Sequence, residues 1–226
     1  MASVLDDPMT TEMTVGDLFD RFGPIPLWRI VFDPAPGTAT FEDVISRYQR
    51  TGRFCELVDG VLVEKDMSYE ASRIGYKLGW RIGRIAEEQN LGLVTGEQGF
   101  LRLTTGRVRG PDIAFVAWER FPGGYNPQKL VPDLAPTLAI EVISPGNTRR
   151  EMDDKLVDYF HSGVELVWYV YPKRSEVEVY TGIEEKLVLG IEDTLDGGSI
   201  VPGFSLPLAE LFAKPSAGKS DSPEEE

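Results

Sequence analysis

Apolar residues recur at helical spacing in two stretches of the chain. Between Thr40 and Gly52, Phe41, Val44, Ile45 and Tyr48 share one face. Thr40 with Asp43 three residues later makes a capping pair and Gly52 marks a stop, so a helix is predicted there. From Ser68 to Asn90, Ile74, Leu78, Ile82 and Ile85 form the stripe of a long helix lying on a core. A third helix is predicted over 149–161, after the turn Ser144-Pro145-Gly146-Asn147.

Elsewhere the period shortens to that of strands. Phe54–Val58 and Val61–Glu64 flank Asp59-Gly60, a pair that favours a tight hairpin. Further strands are predicted at 91–95, 99–103, 112–118, 137–143, 165–171, 176–180 and 185–189, with 137–143 apolar enough to be buried on both faces. Residues 200–212 read as a turn and one short helical segment. Because strands and helices are mixed rather than strictly alternating, the expected class is α/β, a mixed sheet flanked by helices with a β-hairpin near its N-terminal side. The expected organisation is an irregular N-terminal arm over 1–38, one domain over 39–212, and a disordered acidic tail over 213–226.

Composition narrows the chemistry. A 226-residue chain with 42% hydrophobic residues is sufficient for one core. The net charge of −14 weakens a nucleic-acid reading. Half of that charge lies in the first twenty and last thirteen residues, however, so the body keeps the reading open. Cys55 and His161 are the single cysteine and histidine, which excludes an intrachain disulfide and a Cys/His zinc cluster. Carboxylates must then supply any metal site, and they favour magnesium, manganese or calcium. No apolar run is long enough to span a membrane and the first twenty residues hold acids but no lysine or arginine, so the expected location is the cytoplasm, with no membrane partner.

Two acids sit where solvation does not explain them. Asp112 opens the apolar strand Ile113–Val116 directly after Pro111, and Glu141 interrupts the run Leu138-Ala139-Ile140 before Val142-Ile143. Burying an unpaired carboxylate costs several kcal/mol, and a cation shared by the two is the simplest compensation. For Asp112 a second reading stands, that Pro-Asp only shapes the strand entry. Lys155, on the helix that follows, either points back at the strand end or pairs on the surface with Glu151 and Asp158. Glu56, on the first hairpin strand, and Glu64, on the second, are further acids either of which can join the site.

These segments in this order carry a resemblance. The Glu-Leu-Val-Asp-Gly hairpin, the Pro-Asp strand, Glu-Val-Ile-Ser-Pro, Lys155 with Tyr159, Val167-Trp168-Tyr169-Val170 before Tyr171-Pro172, and the ending Val201-Pro202-Gly203-Phe204 resemble the Uma family over about residues 40 to 212. That bacterial family is described as restriction endonucleases of the PD-(D/E)XK nuclease superfamily. The resemblance implies a magnesium-dependent phosphodiesterase site at one end of a mixed sheet, acting on DNA. Asp112 and Glu141 match the two motif acids and Glu56 an upstream acid. The lysine usually found two residues after the second acid is absent, since position 143 is Ile, and Lys155 matches a lysine supplied by the next helix instead. A homodimer fits enzymes that cut both strands. The alternative is a nuclease-fold module without activity that binds nucleic acid or a protein.

Basic residues offer substrate contacts. Arg149 and Arg150 adjoin the proposed site, and Arg73, Lys77, Arg81 and Arg84 form a ridge one position before the apolar stripe of the long helix. Either set could track phosphates, and either could be a solvated helix face.

Overall fold

The computed structural model describes residues 12–66, 68–121 and 123–214. Five helices and thirteen strands follow in chain order: α1 (Val15–Phe22), β1 (Ile30–Val31), α2 (Phe41–Thr51), β2 (Glu56–Val58), β3 (Val61–Val63), α3 (Tyr69–Glu88), β4 (Gly92–Gly96), β5 (Leu101–Arg102), β6 (Val108–Arg109), β7 (Ile113–Ala117), β8 (Leu138–Val142), α4 (Arg149–His161), β9 (Leu166–Tyr171), β10 (Glu176–Tyr180), β11 (Lys186–Leu189), β12 (Thr194–Asp196), β13 (Ser205–Pro207) and α5 (Leu208–Phe212).

A six-stranded sheet ordered β11-β10-β9-β8-β7-β4 forms the centre. Its pairs are antiparallel except β8 with β9, which run parallel because α4 carries the chain back between them. Side chains alternate along β8. Leu138, Ile140 and Val142 face α3, where they meet Ile74, Leu78 and Ile82, while Ala139 faces α4 beside Met152, Leu156 and Tyr159. The small pair Ala114 and Ala139, in register on neighbouring strands, lets α4 approach its face of the sheet closely. Trp168 on β9 fills the α3 face against Phe204, their rings 5.4 Å apart.

A second sheet, β1-β3-β2-β6-β5, stands beside the first. Leu57, Leu62 and Val108 pack under α2, and Val58, Val61 and Val63 pack against Leu18 and Phe22 of α1. The β2–β3 turn has positive φ at both Asp59 and Gly60, the turn type whose twist suits a hairpin. A side chain at Gly60 would overlap the Gly37 carbonyl, so the glycine is required twice over.

The mixed sheet flanked by helices matches the fold class predicted from the sequence, and the three long helices and the hairpin lie where the sequence reading placed them. Residues 12–38 differ from the irregular arm expected there. Thr14 and Asp17 form a reciprocal capping box on α1, whose Leu18 and Phe22 are buried, and β1 adds a strand to β3. Strands β6, β12 and β13 are also additions, each only two or three residues long. Residues 1–11 and 215–226, the greater part of the predicted tail, lie outside the described residues.

Candidate active site

The site grows from the ends of β7 and β8. Ile113 pairs with Ile140, Ala114 with Ala139 and Phe115 with Leu138, and this antiparallel register continued by one step sets Asp112 across from Glu141. Asp112 Oδ2 accepts the Val142 backbone N–H at 2.7 Å, which fixes the carboxylate against β8. Its Oδ1 accepts from Lys65 Nζ at 2.7 Å. Gly110-Pro111 leads the chain into this position, and Gly110 N–H donates to Glu56 at 3.3 Å.

Glu141 points toward α4 and is enclosed. Its Oε1 accepts from Tyr159 Oη at 2.5 Å, and Lys155 Nζ lies 3.2 Å from Oε1 and 3.3 Å from Oε2. Burial raises the Glu141 pKa, the Lys155 charge opposes that rise, and the Asp112 charge adds to it. Lys155 has a second partner in Glu56, at 2.9 Å. For Glu56 burial also pushes upward, but Lys155 and Arg109 outweigh it and bring the carboxyl down from 4.5 to about 2. Lys155 itself is shifted up, since the carboxylates of Glu141 and Glu56 outweigh its burial.

A buried ionic layer supports these residues. Arg109 bridges Glu56 at 2.9 Å and Asp158 at 2.5 Å, and all three side chains are about as enclosed as the aliphatic core. Arg29 binds Glu151 through two nitrogens, at 2.6 and 2.8 Å, and donates to the Glu64 carbonyl at 2.8 Å. Helix α4 therefore turns Glu151, Lys155 and Asp158 inward along with Met152, Leu156 and Tyr159. Unpaired charges at such depth would be prohibitively costly, and here each charge has a partner and hydrogen bonds.

The structure brings together Asp112, Glu141, Lys155 and Glu56, the four residues that sequence reasoning grouped. Lys155 does not use the partners of the surface reading, because Glu151 and Asp158 are engaged by Arg29 and Arg109. Lys65, Arg109 and Arg29 were not anticipated. Arg109 lies three residues before Asp112, the one positional hint, whereas Glu64-Lys65-Asp66 has the composition of an exposed turn. Arg149 stands almost fully in solvent at the start of α4, 94% exposed, with Arg150 beside it. Along the α3 ridge Arg73 pairs with Glu70, and Lys77 and Arg81 bind the carbonyl and carboxylate of Glu210 on α5. A cleft of about 610 Å³ runs from Asp66 and Asp112 along α3, past Tyr76 and Trp80, to β4.

The donor set fits a hard divalent cation. Two strand-end carboxylates lie side by side, and the charge of one still disfavours the ionised form of the other. Among the described residues no group of three or more acidic, histidine or cysteine side chains is placed to hold a metal ion, so a cation here would have two protein carboxylates at most. Two carboxylates with the remaining positions left to water and phosphate is the usual way in which magnesium is held.

Comparison with known proteins agrees with this architecture. A crystal structure of a "putative nuclease belonging to DUF820" from Anabaena variabilis ATCC 29413 superposes with a TM-score of 0.65 at 20% identity, covering 75% of this chain and 97% of that one. No curated protein matches. No helix among the described residues is long and apolar enough to cross a membrane. Residues 40–209 match the Uma2 family, described as "Putative restriction endonuclease", and the chain belongs to that family.

Proposed function

We propose that the chain is a magnesium-dependent endonuclease that hydrolyses DNA phosphodiester bonds, with Asp112 and Glu141 as the protein ligands of the metal and manganese as a substitute. The observation that carries this reading is Glu141: an acid 4% exposed within a central strand, disfavoured by its burial and by Asp112, and facing a lysine that compensates only in part. A further positive charge at the Asp112–Glu141 pair would complete the balance.

A divalent cation there supplies Lewis acidity for the scissile phosphate and stabilises charge on the leaving oxygen. The chain's own groups do the rest. Val142 N–H and Tyr159 Oη orient the two carboxylates, and Lys155 favours ionised Glu141 against the cost of burial. Glu56, held charged by Arg109 and Lys155, anchors that lysine. Arg149, loosely paired with Asp153 at 3.7 Å, and Arg150 stand at the start of α4 as candidates to meet flanking phosphates, while Arg73, Lys77 and Arg81 on α3 would have to exchange their pairing with Glu70 and Glu210 to do so. Hydrolysis forms one P–O bond to water and breaks another to the sugar oxygen, which takes up a proton. Cutting both strands of a duplex would call for two copies of the chain related by a twofold axis.

The test is cleavage of plasmid and single-stranded DNA with magnesium or manganese by wild type, Asp112→Ala and Glu141→Ala. We expect metal-dependent cutting in wild type and a loss of about 10² or more in each folded variant. Equal cutting by all three would defeat the proposal. A second reading, a binding module without activity, is favoured by the lysine that each acid already has as an ion-pair partner. It predicts that millimolar metal leaves the melting temperature unchanged.

A further inference from the structure

Two lysines reach the paired acids, and they are built differently. Lys155 is 2% exposed, with its ammonium committed to Glu56 at 2.9 Å and Glu141 at 3.2 Å. Nothing outside the protein can touch it without dismantling the buried layer. Lys65 is 11% exposed, and its one ion pair among the described residues is with Asp112 Oδ1, on a carboxylate that is 15% exposed. Val142 N–H holds Oδ2, and Lys65 covers Oδ1.

The backbone around Lys65 is pinned on both sides. Arg29 Nε donates to the Glu64 carbonyl at 2.8 Å, and Glu64 N–H donates to the Arg29 carbonyl at 2.7 Å. On the other side Asp66 Oδ2 accepts Gly146 N–H at 2.7 Å, fastening the segment to the β8–α4 turn. A side chain at Gly146 would collide with that carboxylate, so the fit is close. Asp66 and Asp112 both line the cleft beneath α3, and the Lys65 ammonium lies 2.7 Å from the Asp112 carboxylate. Such anchoring is unnecessary for a surface ion pair worth a few tenths of a kcal/mol.

Building on the nuclease reading above, we infer that Lys65 is the catalytic lysine: its ammonium occupies the cation position on Asp112 Oδ1 in the resting protein and moves onto the scissile phosphate when metal and substrate arrive. Lys155 is then a positioning residue that acts through Glu141. This division satisfies two needs that one lysine does not meet together here, since Lys155 is 2% exposed and enclosed between the carboxylates of Glu56 and Glu141, out of reach of a phosphate oxygen. It also makes the ammonium a competitor of the metal, so removing it has opposite effects on binding and on turnover.

That opposition is the test. Manganese is titrated calorimetrically into wild type, Lys65→Met and Lys65→Arg, and cleavage of single-stranded DNA is followed at saturating manganese. Lys65→Met is expected to bind manganese about tenfold tighter, because a cation next to Asp112 has been removed. Its kcat should fall by about 10². Lys65→Arg should return both values toward wild type. Lys65→Gln, which keeps a donor for Oδ1, replaces the methionine variant if that one fails to fold. Unchanged or weaker manganese binding with wild-type turnover would reduce Lys65 to a structural ion pair and overturn the inference. Tighter binding with undiminished turnover would overturn its contact with the phosphate. A flat titration for wild type and variants alike would defeat the metal site itself, and the inference with it.

Discussion

Replacing Glu56 with glutamine removes one negative charge from the centre of the ionic layer while nearly preserving shape. Lys155 then retains only Glu141, and Arg109 only Asp158. The Glu56 carboxyl titrates at about 2 in the folded protein against an ordinary 4.5, because Lys155 and Arg109 overcome its burial. A group depressed in this way adds stability that is fully present above 4.5 and is lost as pH falls toward about 2. The shift corresponds to about 3 kcal/mol, the lower end of the roughly 3–5 kcal/mol expected for breaking a buried ion pair. Urea unfolding of wild type and Glu56→Gln near neutral pH should therefore show a gap of about 3 kcal/mol. Below pH 4.5 that gap should narrow by about 1.4 kcal/mol per unit, so that at about pH 3.5 nearly half of it is gone. A gap that stays constant down to about pH 3.5, or one under about 1 kcal/mol at neutral pH, would refute the reasoning.

Two further perturbations probe the frame. Arg29→Met strands Glu151 in the interior and should destabilise the protein by about 3–5 kcal/mol, with amide exchange accelerated over residues 12–38; unaltered exchange there would show that the N-terminal segment is not held by this pair. Gly92→Ala would drive a side chain into the Val116 carbonyl across β4 and β7 and should cost about 1–3 kcal/mol, whereas Gly96→Ala at the other end of β4 meets no atom within 4 Å and should be nearly neutral by thermal melting.

What the sequence revealed and what it hid follow one physical division. Elements that bury an apolar stripe of their own were legible: Ile74, Leu78 and Ile82 face the sheet as their spacing predicts, and Asp59-Gly60 turns as that pair prefers. Asp112 and Glu141 stood out because an acid in an apolar strand needs a reason. Helix α4 was legible as a helix but not in its orientation, since its buried face carries Glu151, Lys155 and Asp158, which periodicity reads as solvated. Their partners, Arg29, Glu56 and Arg109, come from distant positions, and no local pattern announces such pairing. Helix α1 had a readable signal in Thr14-Asp17 and Leu18-Phe22, masked by the acids around it.

Because α4 crosses between parallel strands, its rotational phase sets the charge of the site. Glu151 meshes with Arg29, Lys155 with Glu56 and Glu141, Asp158 with Arg109, and Tyr159 with Glu141. One residue inserted ahead of Glu151 would turn the whole set by about 100°, moving four buried groups off their partners at once. A loop insertion such as one in the Gly106 turn, where a Cβ has open space, carries no such gearing. The helix works as a camshaft, and its timing is carried in chain length, where no substitution of a strand residue would reveal it.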